Sequence, residues 1–455
     1  MRTHRLQCRA RSFRQRGYGT LVVALVLLFG GTILAFFANR SFIFEQRTSA
    51  NQYRATKAFE LAEAGVDWAI GRLNDGFAIS TASADACAAV EGGASPSFRG
   101  RYVAPQGPDA SHPNPWFNVP VNGAAPGCRF DPSSATNGGW TCLCPTGTTV
   151  AVLGTPEQGR FGVRFNPVVS PVADSSAVEI VSRGCSNLAA ATDTCDPTAA
   201  AQPTGDATAV VRVLVKLRPY ITSGPAAALT SGSATTTSGA LNVINYFSPS
   251  NGITIHAGTT VELGSGGSGT DVYTLPGTPA RASILDNDPT LADTTMLSDD
   301  QFFSRFFAES LDSYRARAVN ISNCGGNCAS RVLTEIARGR DPIQLYVDGN
   351  MQFTGGTIGT DARPVTIVYT GSLDMQGSVV GYGLFYAATS TATAVANPGG
   401  GTATIYGAFV SRGSFQKQGA GTFNIVYTPS LWSSGRPNGL LLRVPGSWRD
   451  KLGEY

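Results

Sequence analysis

A long uncharged segment near the N-terminus dominates the hydrophobic pattern of the chain. Residues 18–39 contain no charged side chain, and residues 21–38 are apolar apart from two glycines and a threonine. About 20 residues of α-helix cross the roughly 30 Å hydrocarbon core of a bilayer, so the segment is long enough to span a membrane. Asn39 and Arg40 follow it directly, where a cleaved secretory signal would have a small-residue cleavage site. The pattern therefore predicts a membrane-spanning helix.

The helical pattern continues beyond this segment. From Ala55 to Leu73, apolar residues recur at alternating spacings of four and three, and no proline occurs before Pro96. Such spacing places the apolar residues on one face of an α-helix. We therefore expect one continuous helix from about residue 20 to about residue 74, on the order of 80 Å long. The sequence Asn74-Asp75-Gly76 supplies a stop signal.

Residues 77–222 predict a β domain. Runs typical of strands occur at 159–168, 177–183 and 207–217, and loops rich in Pro, Gly, Asn and Asp separate them. The last run is rich in valine, whose β-branched side chain favours strands.

Residues 223–455 are rich in Gly, Ser, Thr and Ala, and a Phe-rich stretch at 299–318 predicts a helical insert. Gly349, Gly371 and Gly413 are 22 and 42 residues apart within similar strand–Gly–strand units, and a second set of glycines keeps the same step. A period of about 21 residues with glycine at the corners predicts the stacked rungs of a β-solenoid. We expect the insert or the C-terminal tail to cap the stack. The alternative is a β-sandwich in which the spacing arises by chance.

The net charge of +3 reflects the N-terminus alone. Six of the 34 basic residues are arginines within residues 1–17, a stretch without acids, and the other 28 face 31 acidic residues. A basic segment before a membrane span keeps that end in the cytoplasm and sends the rest of the chain outward. The charge therefore indicates topology, and it gives no indication of nucleic-acid binding.

Cysteine usage predicts disulfides. One of the nine cysteines lies in the basic leader, and an even number lies beyond the membrane segment, as in exported proteins. Cys185 and Cys195 flank the loop between two predicted strands, and the flexible Gly-Gly-Asn between Cys324 and Cys328 allows those two to meet. The connectivity of the others stays open, and reduced structural thiols are the alternative. The eight candidates are Cys87, Cys128, Cys142, Cys144, Cys185, Cys195, Cys324 and Cys328.

Side chains suited to catalysis or metal binding are sparse. Three histidines are too few for a His-rich metal centre, and they make a nucleophile–His mechanism unfavourable. The Cys142–Cys144 and Cys324–Cys328 spacings differ from those of zinc knuckles. The acidic stretch 286–300 does not match an EF-hand loop. We therefore expect no catalytic residue, no metal, no cofactor and no nucleic-acid partner.

The N-terminus resembles a known family. Arg14-Gln-Arg-Gly17, followed by Tyr18 and the apolar helix, resembles the leader of type IV prepilins, and the continuation from Phe44 to Gly65 resembles minor pilins of the PilX type. More loosely, the C-terminal part resembles the long extension of large pilus-assembly proteins. The resemblance implies cleavage after Gly17 by prepilin peptidase and methylation of Tyr18 as the new N-terminus. It also implies packing of the helix into a pilus or pseudopilus.

One position departs from the family pattern. Major pilins carry glutamate at the fifth mature position, where it neutralises the terminal amine of a neighbour inside an apolar filament. Here that position is Val22. Because an unpaired charge in such a setting is costly, we expect the subunit to pack poorly on top of a subunit below it. This fits an initiator or cap.

Together these features predict an α+β protein with a long membrane-spanning pilin helix, an antiparallel β pilin-like domain and a C-terminal β-solenoid-like module. The expected units are a leader (1–17), the helix (18–76), the β domain (77–222) and the module (223–455) with its insert (299–318).

The predicted function is that of a minor pilin of a type IV pilus, acting in assembly initiation or as the tip subunit. Expected partners are other minor and major pilins, prepilin peptidase and the inner-membrane assembly machinery. Before assembly the chain would lie in the inner membrane with its C-terminal part in the periplasm, and afterwards in the pilus at the cell surface. Alternatives are a tip adhesin with a surface ligand, a large pseudopilin of a type II secretion system, and a membrane-anchored polysaccharide hydrolase using Asp348 and Asp374.

Overall fold

The protein consists of a long N-terminal helix, a β domain that packs on the second half of that helix, and a β-rich C-terminal module. The structure is a computed structural model. It describes residues 17–80, 87–92, 96–106, 111, 116–120, 123–132, 137–153, 159–168, 174–186, 195–198, 207–264, 271–292, 298–307, 309–390, 394–396, 400–432 and 439–452.

Helix α1 runs from Gly17 to Asn74, which confirms the long helix expected from the apolar pattern. Its two halves have different surroundings. Every side chain from Tyr18 to Thr56 is exposed, whereas a buried stripe begins at Ala58. The helix therefore contacts its own domain only with its second half.

The N-terminal domain contains mostly short elements before three long strands. They are β1 (Ala78–Ile79), β2 (Ala89–Val90), α2 (Phe98–Tyr102), β3 (Pro105–Gln106), β4 (Trp116–Phe117), β5 (Gly127–Phe130), β6 (Trp140–Leu143), β7 (Arg160–Val168), β8 (Asp174–Cys185) and β9 (Thr208–Pro219).

The C-terminal module follows, and two further strands end the described chain. The module contains β10 (Leu229–Ser231), β11 (Thr235–Thr237), β12 (Leu241–Ile244), β13 (Ile255–Ala257), β14 (Val261–Glu262), β15 (Asp271–Tyr273), β16 (Ile284–Leu285), α3 (Pro289–Ala292), α4 (Asp299–Ser304), α5 (Leu311–Arg317), β17 (Val319–Ser322), α6 (Ala329–Ala337), β18 (Ile343–Asp348), β19 (Met351–Phe353), β20 (Gly356–Ile358), β21 (Val365–Tyr369), β22 (Leu373–Met375), β23 (Val379–Ala387), β24 (Ala394–Ala396), β25 (Thr402–Ser411), β26 (Phe415–Lys417) and β27 (Thr422–Tyr427). The final strands are β28 (Gly439–Arg443) and β29 (Arg449–Leu452).

The main sheet of the N-terminal domain is antiparallel, in the order β28-β9-β8-β7-β5-β6, with β29 also on β9. In β9 the buried residues Val211, Val213 and Val215 alternate with more exposed ones. This period of two is the pattern of a strand with one face on a core. That core also receives the buried stripe of α1.

Small residues allow α1 to lie close to the sheet. The buried stripe consists of Ala58, Ala62, Val66, Ala69 and Leu73. A Cβ at Gly184 of β8 would overlap the Ala58 carbonyl oxygen and lie 2.5 Å from the Ala62 nitrogen, so the two backbones touch there. Close approach of this kind is a reason for glycine in a strand.

The C-terminal tail belongs to the N-terminal domain and not to the 223–455 module in which the sequence placed it. Strands β28 and β29 both pair with β9, so the module is an insertion between β9 and β28. The Asn74 side chain accepts from the Leu441 N–H at 2.8 Å and donates to the Leu441 carbonyl at 2.9 Å. Leu441 itself is buried in the N-terminal core. Trp432 itself packs with the Phe-rich insert on the side of the module. The strands that follow it do not cap the stack as expected, because they pair with β9 and Leu441 completes another core.

Every strand pair described between Leu229 and Tyr427 is parallel. The first sheet has the order β17-β18-β21-β23-β25-β10-β13-β16. The second consists of β19-β22 and β24-β26-β11-β14. The third runs β20-β23-β25-β27-β12-β15. Strands β23 and β25 pass from the third sheet into the first.

The glycine step found in the sequence corresponds to neighbouring turns of the chain. The pairing of Val347 with Tyr369 places Gly349 next to Gly371, and a Cβ on Gly371 would overlap the Gly349 carbonyl. The pairing of Tyr369 with Ala387, and of Ala387 with Ser411, places Gly413 two turns further on. These turns differ in length, so the period of 21 is an average. The β-solenoid as a fold stays a prediction.

Glycines also occupy a corner that the sequence pattern did not reveal. Gly383 of β23 and Gly407 of β25 are paired, with φ of 137° and 141°, where each strand passes between sheets. A Cβ at Gly407 would overlap the Gly383 carbonyl. Only glycine adopts this backbone region readily.

The order of the turns in space differs from their order in the chain. The first strands of the module, β10, β11 and β12, pair with its last strands, β25, β26 and β27. On their other side, β10, β11 and β12 pair with β13, β14 and β15. The chain thus starts in the middle of the stack, builds one end, crosses to the other end at β17 and returns to the middle.

The crossing segment carries the Phe-rich insert, which forms two short helices and not one helix over 299–318. Ser310 interrupts the helix because it caps the N-terminus of α5 through its side chain. Phe302, Phe303, Phe307 and Tyr314 are buried against outward-facing residues of the first sheet, including Tyr346, Val368 and Tyr386. The insert thus covers a side of the module.

Helix α6 covers the β17 end of the stack. Its Ala329 and Val332 are buried in the interior cluster of the module. The Asn327 side chain accepts from the Gln352 N–H at 2.9 Å and donates to the Gln352 carbonyl at 3.0 Å. Because it satisfies the backbone of edge strand β19, this side chain takes the place of a neighbouring strand.

Replacing Gly184 with alanine should destabilise the N-terminal domain, because the added Cβ overlaps the backbone of α1. Overpacking of this kind costs about 1–3 kcal/mol, measured as the free energy of unfolding in urea with the full-length chain in detergent. The control is Gly71→Ala on the same helix, where a Cβ meets nothing within 4 Å. It should be neutral or stabilising by about 0.5–1 kcal/mol. Equal stability of the two variants would contradict the close packing of α1 on β8.

Candidate assembly interface

The first part of α1 is an apolar rod without a partner in the described chain. Residues 18–57 extend on the order of 60 Å at 1.5 Å per residue. Large apolar side chains are exposed all along it: Tyr18, Leu21, Val22, Val23, Leu25, Val26, Leu27, Leu28, Phe29, Ile33, Leu34, Phe36, Phe37, Phe42, Ile43, Phe44 and Tyr53. An exposed apolar surface of this size marks a membrane or a protein partner.

The first 22 residues of this rod, from Tyr18 to Asn39, are uncharged. They extend about 33 Å, which matches the hydrocarbon core of a bilayer. By length and composition the helix is apolar enough to cross a membrane. Charges begin at Arg40, and Glu45 and Arg47 follow within two turns. The rod therefore divides into a lipid-compatible part and a mixed part.

The residues of the predicted processing site lie at the start of this rod. Gly17 is the first residue of α1, and Tyr18 follows it. Cleavage after Gly17 stays a prediction, and residues 1–16, including Cys8, lie outside the described residues. Val22 is one helical turn beyond Tyr18 on the same face and is 56% exposed. No acid lies between Tyr18 and Asn39, so the described helix offers no carboxylate near its N-terminus.

The eight cysteine candidates form four disulfides. The pairs are Cys87–Cys144, Cys128–Cys142, Cys185–Cys195 and Cys324–Cys328. The last two pairs are those that the sequence favoured. The second pair is nested within the first, and each uses one cysteine of the Cys142-Leu-Cys144 segment, so sequence spacing could not assign the partners. Together they connect residues 87, 128 and 142–144 beside the core under α1.

An ion pair supports the loop closed by Cys185 and Cys195. Arg164 of β7 donates to both carboxylate oxygens of Asp196, at 2.7 and 2.8 Å. Burial alone would raise the pKa of Asp196, but hydrogen bonds from Arg164 and Thr198 hold it below its usual range. The carboxylate thus remains ionised and holds residues 195–198 against β7.

The acids of the stretch 286–300 have protein partners. Asp286 pairs with Arg281, and Asp288 lies 2.7 Å from His256. Asp299 forms an ion pair with the buried guanidinium of Arg412. This ion pair holds the crossing segment against the first sheet. Asp293 lies outside the described residues. The described acids therefore fix loops of this protein.

Asp348 and Asp374, the carboxylates considered for hydrolysis, lie in different sheets. Asp348 ends β18 of the first sheet and accepts from Thr370 at 2.8 Å. Asp374 lies in β22 of the second sheet and accepts from Gln376 at 3.0 Å. Their placement gives no paired-carboxylate arrangement on one face.

Sequence reasoning missed a second surface, on the outer face of the third sheet. One row across five strands consists of Tyr382, Tyr406, Val426, Ile244 and Tyr273, aligned by strand register. The Tyr382 and Tyr406 rings stack at 5.1 Å. Beside it runs a polar row of Thr404, Asn424, Asn242 and Asp271, in which the two asparagines are joined at 2.8 Å. We call these two rows the third-sheet face.

A shallow cavity of about 330 Å³ adjoins the third-sheet face, where Tyr246 and Phe247 are exposed beyond β12. Period-two alternation was visible within β12 and β27 separately. The pairing of β12 with β27 was not visible in the sequence, because it joins residues about 180 positions apart in the chain.

The comparisons with known proteins bear on the helix. Residues 19–67 match the family model PilX_N, described as PilX N-terminal. A solved structure, the competence-associated pilin ComZ from Thermus thermophilus, aligns with 87% of this chain and 97% of its own at 11% identity. Its TM-score of 0.21 is too low to establish a common fold. No curated protein matches the chain. The matched segment is the apolar rod together with most of the buried stripe, so in this segment the chain is similar to the N-terminal part of PilX-type minor pilins.

Proposed function

We propose that this chain is a minor pilin of a type IV pilus, cleaved after Gly17, which initiates assembly or occupies the tip of the filament. One observation carries the proposal. The exposed, uncharged part of α1 from Tyr18 to Asn39 needs an apolar environment, yet it has Val22 where a pilin of the shaft has a carboxylate. Before assembly the hydrocarbon core of a membrane surrounds this apolar surface, and after assembly the helices of other pilins cover it.

The position of the C-terminal module supports a place at the end of the filament. The module connects to the N-terminal domain beside Asn74, the last residue of α1, and the Asp341 N–H donates to the Gly76 carbonyl at 2.8 Å. The length of α1, on the order of 85 Å, therefore separates Tyr18 from the module. If α1 packs along a filament axis, the module projects beyond the helical core. A module there is accommodated most readily where no subunit stacks above it.

We also propose that the module is a β-solenoid that serves as a display unit and not as an enzyme. Parallel pairing in three sheets around one apolar interior supports the solenoid. The separation of Asp348 from Asp374 favours a non-catalytic role. Proposed partners are other pilins, prepilin peptidase and the inner-membrane assembly machinery.

The mature protein should begin at Tyr18. Intact-mass measurement of protein purified from its own host should give the chain without residues 1–17 and with one added methyl group. Gly17→Val should yield the uncleaved chain, because valine replaces the small residue that the peptidase requires before the cut. A mature N-terminus near residue 40, or an intact Met1, would overturn the assignment of the leader.

Replacing Val22 with glutamate should move the subunit from the end of the filament into the shaft. The new carboxylate would neutralise the terminal amine of a neighbour, which removes the penalty for an unpaired buried charge. Quantitative mass spectrometry of purified pili should show the number of copies per filament rising several-fold.

Val23→Glu is the matched control for this experiment. Val23 is equally exposed, at 58% against 56%, but the next residue of a helix points about 100° away. Equal copy numbers for both variants and for wild type would argue against a role of Val22 in placing the subunit. A loss of protein secretion with normal pili on deletion of the gene would favour the pseudopilin alternative.

The third-sheet face supports a second candidate function, that of a tip adhesin. Its aromatic row spans on the order of 19 Å at 4.8 Å per strand. The double substitution Tyr273→Ser with Tyr406→Ser should reduce attachment of cells to a surface several-fold while pilus number stays normal. The control is Val152→Ser, an exposed position on the N-terminal domain. Unchanged attachment would remove the support that this face gives to adhesion.

A further inference from the structure

A cavity of about 250 Å³ lies where the N-terminal domain meets the C-terminal module. The N-terminal domain contributes Asn74 and Gly76 at the end of α1, and Leu440 of β28. The connection after β9 contributes Tyr220. The module contributes Arg317 of α5, and Arg340, Pro342 and Gln344 around the start of β18. The cavity is thus shared by both folding units.

The two arginines of the cavity differ in their partners. Arg317 donates through Nε to Glu309 at 2.8 and 2.9 Å, and its guanidinium lies 4.0 Å from the centre of the Tyr220 ring. Arg340 stacks on Phe77 at 4.6 Å. Its Nε is buried without a hydrogen-bond partner, and it forms no ion pair with any described residue. Arg340 therefore leaves a positive charge uncompensated.

Other charges near the cavity balance one another. Arg99 is buried beneath it and donates to the Leu73 carbonyl at 2.7 Å and to the Asn74 side chain at 3.0 Å. Burial lowers the pKa of Arg99, and the neighbouring Asp341 opposes this shift. With Arg99 facing Asp341 and Arg317 bound to Glu309, the net excess is the single charge of Arg340.

Gln344 supplies a second unsatisfied group. Its side chain is only 7% exposed, it lines the cavity, and its Oε1 is buried without a hydrogen-bond donor. Leaving a buried acceptor unpaired is unfavourable, because the group has lost its hydrogen bonds to water. The cavity thus contains the unpaired guanidinium of Arg340, which attracts an anion. It also contains the unpaired Oε1 of Gln344, which requires a hydrogen-bond donor.

Tyr220 is sensitive to the same charges. Burial raises the pKa of its phenol, while Arg99, Arg317 and Arg340 act to lower it. The phenol therefore remains protonated at neutral pH and can donate a hydrogen bond within a positively charged environment.

We propose that the junction cavity binds a small protonated oxyanion, of which hydrogen phosphate is the simplest, with its oxygen atoms on Arg340 and its hydroxyl on Gln344. A ligand there touches both units, so its binding fixes the orientation of the module on the N-terminal domain. Sulfate has similar size and geometry but carries no proton at neutral pH, so it satisfies Arg340 and leaves Gln344 unpaired. The site should therefore prefer phosphate to sulfate.

Calorimetric titration of the full-length chain in detergent micelles with inorganic phosphate, and separately with sulfate, tests the proposal. Wild type should bind phosphate several-fold more tightly than sulfate. Arg340→Gln should weaken phosphate binding at least about tenfold, because it removes a charge-assisted hydrogen bond. The matched control, Arg331→Gln, changes an exposed arginine of α6 and should bind as wild type does.

Gln344→Met keeps the side-chain volume and removes the acceptor, so it should abolish the preference for phosphate over sulfate. This variant decides the question if circular dichroism shows that Arg340→Gln does not fold. Absence of phosphate binding to wild type, equal binding of the two anions, or identical behaviour of Arg340→Gln and Arg331→Gln would each overturn the proposal.

Discussion

The packing of the second half of α1 on the antiparallel sheet is the contact on which the rest of the molecule depends. Small residues at Ala58, Ala62 and Gly184 bring helix and strand into backbone contact, and the stripe ends at Leu73. Because the domain covers only this half, the exposed and uncharged part from Tyr18 to Asn39 requires another apolar environment. One continuous helix thus couples the folded domain to a membrane or to other helices. The same contact places the end of the helix against β28, the strand to which the chain returns after the module.

The module depends on both ends of its own sequence. Strand β10, the first of the module, pairs with β25 on one side and with β13 on the other. Neither half of the stack therefore has a free strand edge at the centre. Pairing of β10 with β25 closes a loop of about 180 residues, for which the loop-closure entropy is unfavourable although it grows only slowly with length. Burial of the shared interior offsets it. The segment after α6 then attaches the closed stack to the N-terminal domain, since the Asp341 N–H donates to the Gly76 carbonyl and the Gly92 N–H donates to the Arg338 carbonyl.

Local signals in the sequence identified the helix, two of the disulfides and the glycine step, because each depends on residues close together in the chain. The division of the insert was also visible in principle, since Ser298 with Gln301 forms a capping box and Ser310 caps α5. The spatial order of the turns was not, because no local pattern reports that residues 229–231 lie beside residues 409–411. For the same reason no local pattern indicated the third-sheet face, or the junction cavity that Arg340, Gln344 and Tyr220 form from distant segments. The tail was misplaced because its partner β9 lies far earlier in the chain, with Gly439 opposite Pro219, and no local pattern reports that pairing.

The central claim is that the subunit joins a filament through the exposed half of α1 and lies at its end. Electron cryo-microscopy of purified pili, with the C-terminal module as the recognisable density, tests this claim most directly. The account predicts one module at one end of each filament, with α1 entering the helical core below it. Module density repeated along the shaft, or filaments from which the protein is absent, would contradict it.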